Sequence, residues 1–265
     1  MTGSSMPPAS GWSSEVLILR DPETLARSLA GLVLDEAKGC VRARGRFFVA
    51  LSGGSTPRAA HRLLGRDPVS TAFPWDRTHV FWVDERLVAP HHPDSNHGNA
   101  IGDFLGRMPL PGGNLHPMPV ESSPSEGARA YEQDLFRVLE PPPGALPQLD
   151  LVLLGLGRDG HTASLFPGNP ALEERERSVV PVRGGDPPVD RLTLTLPVLS
   201  RAVRKVFAVS GREKAEAVRA VLEERDPRLP AARVRGNRTW LLDMEAASRL
   251  PPRGDGSIST QEHAP

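Results

Sequence analysis

Asp159 and His161 stand two residues apart in the segment LDLVLLGLGRDGHTASLFPG, residues 149–168. A carboxylate and an imidazole that titrates near neutrality are residue types able to exchange protons in a site. The setting matters as much as the residue types. Asp150 precedes a continuous apolar run, Leu151–Leu154, that reads as a strand buried on both faces. Gly155, Gly157 and Gly160 then force the chain to leave that strand sharply. A glycine-rich loop at the carboxyl end of a buried strand is the usual place of an active site in an open α/β sheet. A tight turn carrying a solvated Asp and His is the other reading of this stretch taken alone.

The same loop fits G-x-G-x-x-G over residues 155–160, with Glu173, Glu174 and Glu176 about where a ribose-binding acid would be sought. The context argues against a dinucleotide site. Pro167, Gly168 and Pro170 interrupt any helix opening there, and the glutamates lie in a charged, helix-like run rather than at a strand end.

Other strand ends carry ligand-like residues. The run RFFVAL, 46–51, is followed by Ser52, Gly53, Gly54, Ser55, Thr56 and Pro57, then by a helix that Gly65 closes. Thr56 is expected as the N-cap and Pro57 as the first helical residue. Free N–H groups at a helix start behind two glycines suit an anion, above all a phosphate, although a simple strand-to-helix turn has the same residues. No lysine follows the glycines, so this is not a P-loop. The strand THVFWV, 78–83, ends in Asp84-Glu85-Arg86. These charges form either a solvated loop or a carboxylate and guanidinium aimed into the same crevice. His91, His92, Asp94 and His97 follow with no standard metal-ligand spacing, so a solvated loop is expected, with Ser95-Asn96 capping a helix through Leu105. Ser210-Gly211-Arg212-Glu213 reads as a capping box opening a helix through Glu224. Lys214 then falls in the first turn, where a cation opposes the helix dipole by about 0.3–1 kcal/mol and a bound anion would offset that cost. An exposed surface lysine is the alternative. The other lysines are Lys38 and Lys205, each conspicuous in a chain that otherwise uses arginine.

Strands are also expected at 15–19, 115–120, 178–182, 191–196, 205–209 and 239–242, with the alternation in RLTLTL implying that one face of 191–196 is less buried. Helices are expected from Asp21-Pro22, with Leu25, Leu29, Leu32 and Val33 on one face, and from Ser123-Pro124, with Tyr131, Leu135, Val138 and Leu139 inward. The alternation of strand and helix predicts one α/β domain over residues 15–250, a largely parallel sheet flanked by helices, between disordered tails at 1–14 and 251–265. The ligand-like loops all follow strands, so all can lie along one edge of that sheet.

Composition sets outer limits. The chain has 265 residues, long enough for one sizeable core. Lys plus Arg equals Asp plus Glu at 32 each, which gives no support to a nucleic-acid or anionic-membrane partner. Cys40 is the only cysteine, the first residues have no apolar signal-like stretch, and no apolar run approaches the roughly 20 residues that span a bilayer. A cytoplasmic protein is the expectation.

The motifs SGGSTP, WVDER with DSN after it, GLGRDGHTASLFPG, RLTLTLP and SGREKAEAV occur in the order seen in 6-phosphogluconolactonases, and the chain resembles that family from about residue 15 to 250. The resemblance implies the modified Rossmann-like fold shared with glucosamine-6-phosphate deaminases and ribose-5-phosphate isomerases. It implies hydrolysis of 6-phospho-D-glucono-1,5-lactone to 6-phosphogluconate in the oxidative pentose phosphate pathway, with a small-molecule sugar phosphate as partner and no metal or organic cofactor. A monomer is expected. The deaminase branch, which shares several of these motifs, carries a glutamate shortly after its DGH, and here Phe166 holds that position. Ring opening with proton transfer between carbons needs more acid–base groups than lactone hydrolysis does, so the missing acid favours the hydrolase. On this resemblance His161 is the expected base for water and Asp159 orients the loop or the imidazole. Arg86 and Arg191 bind substrate oxygens and the developing oxyanion. Ser52, Gly53, Gly54, Ser55, Thr56 and Lys214 hold the phosphate, and Asp84 binds sugar hydroxyls or Arg86. A non-catalytic sugar-phosphate sensor would need the phosphate loop but not His161.

Overall fold

The computed structural model describes residues 14–251; the expected tails, apart from Ser14 and Pro251, lie outside the described residues. Among the described residues nine strands run in chain order as β1 (Ser14–Leu19), β2 (Phe47–Leu51), β3 (Thr78–Trp82), β4 (Asp84–Arg86), β5 (Leu151–Leu154), β6 (Val179–Gly184), β7 (Val189–Leu194), β8 (Arg204–Val209) and β9 (Arg238–Asp243). The helices are α1 (Pro22–Arg44), α2 (Ser55–Leu64), α3 (Val69–Ala72), α4 (Asn96–Asp103), α5 (Pro124–Leu139), α6 (Leu196–Arg201), α7 (Ala215–Leu222) and α8 (Pro230–Arg233).

Six strands form a parallel sheet in the order β1-β9-β8-β5-β2-β3. β2, β5 and most of β8 and β9 are buried along their length, as expected of apolar runs covered by helices on both faces. Along α1, Leu25, Leu29 and Val33 are buried and Leu32 is partly so, the stripe that its spacing implies. Asp21 caps α1 by accepting the Thr24 N–H at 2.7 Å. Lys205 is also structural: it is buried in β8, and its ammonium donates to the carbonyls of Ser200 and Ala202 at the end of α6. Burial pushes its pKa down to about 8.

The remaining strands make a second, antiparallel sheet in the order β4-β7-β6. Asp84-Glu85-Arg86, which reads as loop or strand end, is therefore a strand of its own, paired with β7 so that Arg86 lies opposite Arg191. Val83 is the switch: its N–H donates to Leu51 in the parallel sheet and its carbonyl accepts from Leu194 in the other. Thr193 and Thr195 are fully buried, so the expected open face of this segment is closed. Their hydroxyls are satisfied by the carbonyls of Leu194 and Arg177, which lets a β-branched polar residue take a core position.

The expected strand at 115–120 does not form. Leu115 makes an isolated bridge to Val80, after which Pro117 and Pro119 remove donors that a ladder needs. Helix α2 begins at Ser55, with Gly54 at the N-cap and φ +96, so Thr56 and Pro57 lie inside its first turn. Pro57 is tolerated there because first-turn N–H groups have no helical partner. The capping box at Ser210 also fails. Gly211, at φ +98, leads into a 3-10 turn, Arg212–Lys214, and α7 follows only from Ala215.

Candidate active site

The strand order sets β8, β5, β2 and β3 side by side, so the loops after them share one carboxyl edge. In the β5 loop, Gly157 donates to the His161 carbonyl at 2.8 Å and Gly160 to Gly157 at 3.0 Å. A Cβ on Gly157 would stand 2.0 Å from His161 Nδ1, and Gly160 has φ +81, so both positions require glycine. This turn folds Asp159 onto His161. Asp159 Oδ1 lies 2.6 Å from His161 Nδ1 and also accepts the His161 N–H at 3.1 Å. The hydrogen bond from His161 holds the Asp159 carboxyl below the usual range. With Nδ1 donating to the carboxylate, Nε2 is left as the proton acceptor.

The ring of His161 packs on Phe166, centroids 4.8 Å apart, and the Arg191 guanidinium sits over the same phenyl ring at 5.4 Å. Arg191 also donates to the Gly184 carbonyl at 3.1 Å and to the Ser164 hydroxyl at 3.4 Å. Burial lowers its pKa, and the like charge of Arg86 lowers it further. Arg86 donates to the Asp94 carbonyl at 2.7 Å, while its buried Nε has no partner. Among the described residues neither arginine makes an ion pair, and the two like charges stand opposite each other across β4 and β7.

Asp84 is buried. Its carboxylate accepts from the Ser164 hydroxyl at 2.6 Å and from the Asn96 amide at 3.3 Å. The Asn96 amide also fills the space beside Gly53, where a Cβ would meet its oxygen at 1.9 Å. Glu85, the next residue of β4, turns the other way. It accepts the N–H groups of Asn96 and His97 at the start of α4 and borders a separate cavity of about 500 Å³ with His97 and Met118. His91 and His92 are exposed, and no group of His, Cys, Asp and Glu among the described residues is arranged to hold a metal.

No side chain caps α2, so the N–H groups of Ser55 and Thr56 carry the free positive end of that helix. The Ser52 hydroxyl donates to the Gly53 carbonyl at 3.1 Å. Thr56 Oγ1 lies 2.7 Å from Ser210 Oγ, which locks this loop to the one after β8. The Gly211 N–H is held by both oxygens of Asp243 at 3.1 Å, fixing the turn that carries Lys214. Lys214 is half-buried, forms no ion pair among the described residues, and lies in electrostatic range of Arg158 and Asp159. Burial lowers its pKa.

Pairwise contacts link His161 through Phe166, Arg191, Ser164, Asp84 and Asn96 to Gly53; Thr56 meets Ser210, and Lys214 lies in electrostatic range of Asp159. Sequence reading missed Asn96, Ser164, Ser210 and Asp243. Asn96 is read there only as a cap, although Ser95 performs that task by accepting from Gly98 at 2.9 Å.

These features define an α/β protein whose candidate site residues stand on the loops at the carboxyl edge of a parallel sheet. A family model described as glucosamine-6-phosphate isomerases/6-phosphogluconolactonase matches residues 20–242, and the chain belongs to that family. It is 39% identical over 244 residues to a 6-phosphogluconolactonase of Synechocystis sp., covering 90% of this chain and 99% of the relative. It is 39% identical over 251 residues to a 6-phosphogluconolactonase of Rattus norvegicus, covering 89% of this chain and 93% of the relative. The solved 6-phosphogluconolactonase from Trypanosoma brucei superposes with a TM-score of 0.82 at 26% identity, over 91% of this chain and all of that one. A monomeric glucosamine-6-phosphate deaminase, 24% identical with a TM-score of 0.76, shares the fold.

Proposed function

We propose that this chain hydrolyses 6-phospho-D-glucono-1,5-lactone to 6-phospho-D-gluconate, the activity named for its relatives at 39% identity. The observation that carries the reading is the 2.6 Å contact between Asp159 and His161 Nδ1, with the Lys214 ammonium in electrostatic range of Asp159. Nε2 of His161 takes a proton from water as its oxygen attacks the lactone carbonyl carbon. The carbonyl oxygen becomes an oxyanion stabilised by Arg86 and Arg191. As the carbonyl re-forms, the bond to the ring oxygen breaks and that oxygen takes the proton from His161, which leaves the open-chain acid. The reaction balances with water alone. The phosphate sits against the N–H groups of Ser55 and Thr56 and the Lys214 ammonium, while Asp84 and Asn96 bind sugar hydroxyls. A cytosolic enzyme is part of this reading, supported by the lone cysteine, Cys40, which is buried and inert with its pKa raised to about 11.

Phe166 carries the choice against deamination, because an aromatic ring cannot exchange a proton with substrate. Freshly generated lactone, followed against its spontaneous opening, tests the proposal: the purified protein is expected to accelerate acid release and to produce no ammonia from glucosamine 6-phosphate. Sustained ammonia release, or lactone opening at the spontaneous rate, overturns it.

A further inference from the structure

An arginine and an aspartate buried in one crevice would ordinarily pair directly, two N–H groups on two carboxylate oxygens. Arg191 and Asp84 do not. Both are at least half-buried and lie in electrostatic range of each other, yet among the described residues no ion pair joins them. The fully buried hydroxyl of Ser164 stands between. It donates its one hydrogen to Asp84 Oδ2 at 2.6 Å and accepts from Arg191 Nη1 at 3.4 Å. Its position is over-determined. The Ser164 N–H donates to Thr193 Oγ1 at 3.2 Å, and Thr193 is the residue paired with Asp84 across β4 and β7. The far oxygen of Asp84 accepts from the Asn96 amide at 3.3 Å, so each oxygen of the carboxylate has a donor other than the guanidinium.

We propose that Ser164 is a positioning residue that keeps Arg191 and Asp84 apart, so that the guanidinium stays available to the substrate oxygens instead of being consumed by a buried salt bridge. The inference rests on the hydrolase reading above and assigns a role to a residue that does not itself meet the reacting atoms. A serine is suited to the task because a hydroxyl donates to an anion and accepts from a cation at once. Alanine does neither, and it opens a gap into which the Arg191 side chain can swing.

The test is Ser164→Ala, alone and combined with Asp84→Asn. A crystal structure of the Ser164→Ala protein is expected to show Arg191 collapsed onto Asp84, with a nitrogen within 3.5 Å of a carboxylate oxygen, about the limit of a hydrogen bond. In the lactone assay the single variant is expected to lose about tenfold or more in kcat with KM changed less than about twofold, because contacts to the transition state are lost while the phosphate contacts remain. In the Asp84→Asn background, where the carboxylate that Ser164 holds off is gone, Ser164→Ala is expected to cost less than about twofold more, a strongly non-additive cycle. If the alanine variant does not fold, Ser164→Gly, which likewise removes the hydroxyl and leaves the gap open, takes its place with the same losses expected. Arg191 unmoved in the crystal, a variant with normal kcat, or losses that simply multiply in the double variant each overturn the proposal. If the unmodified protein fails to open the lactone, the hydrolase reading falls, and the crystal structure still decides whether Ser164 separates the pair.

Discussion

At His161 the identity of the basic nitrogen follows from one neighbour. Asp159 occupies Nδ1, so in the proposed reaction a proton taken from water goes to Nε2. His161→Ala is therefore expected to lower kcat for the lactone by about 10²–10⁴-fold, the usual worth of general-base catalysis, with little change in affinity for 6-phosphogluconate. Steady-state kinetics beside a binding titration checks this, and a variant with near-normal kcat removes His161 from the mechanism. The Asp159–His161 pair is legible in the sequence because both residues lie in one glycine-bounded turn and their contact is local. Ser164 meeting Asp84 across 80 residues is not, since nothing in either segment encodes the partner. Asn96 is hidden for another reason. A polar residue next to a Ser at a helix start reads as a cap, and its contact with Gly53 and Asp84 exists only once α4 has docked on the parallel sheet.

In the proposed function two turns entering helices hold the phosphate, and they do so differently. Helix α2 offers free N–H groups and no charge, while the 3-10 turn after β8 offers Lys214. The Gly211 N–H belongs to Asp243, so this turn contributes chiefly the ammonium. Lys214→Ala is expected to weaken 6-phosphogluconate binding by about 1.5–3 kcal/mol, the range for hydrogen bonds to charged groups. Turnover of the unphosphorylated lactone is expected to suffer much less, because it brings no dianion to lose. Equal losses on the two substrates, read by calorimetry and by rate, would assign Lys214 to the reacting carbonyl or to folding instead. Sequence alone places both turns, since strand, glycine and helix succeed one another in order. It misplaces the caps because Thr56 and Ser210 each look like an N-cap in isolation, whereas in the fold their hydroxyls bond to each other. β4 is missed on similar grounds. Three charged residues carry no strand period, and their register comes entirely from β7, more than a hundred residues later.

The whole molecule has no net charge, so its response to pH is set by buried groups rather than by overall repulsion. His61 lies on the inner face of α2, 2% exposed, stacked on Phe104 at 5.3 Å with its Nε2 unpartnered. Burial pushes its pKa down to about 4, and burial together with the neighbouring His116 brings His79 to about 4 as well. Above about pH 6.5, the ordinary histidine value, both rings are neutral whether the chain is folded or not. Between about 6.5 and 4 the unfolded chain binds protons that the folded one refuses, so stability is lost as pH falls through that window. For His61 the loss amounts to roughly 3 kcal/mol by pH 4, about 1.4 kcal/mol for each unit of displaced pKa. His61→Leu is close in volume, removes the unpartnered nitrogen, and is expected to change stability little at pH 7.5 while unfolding with a shallower acid slope. Urea midpoints at pH 7.5, 5.5 and 4.5 for both proteins measure this directly. At pH 7.5 the two curves should nearly coincide, and at pH 4.5 the variant should be the more stable. Parallel losses in the two proteins across the series would mean that the acid sensitivity comes from other groups and that the ring of His61 takes up its proton inside the fold.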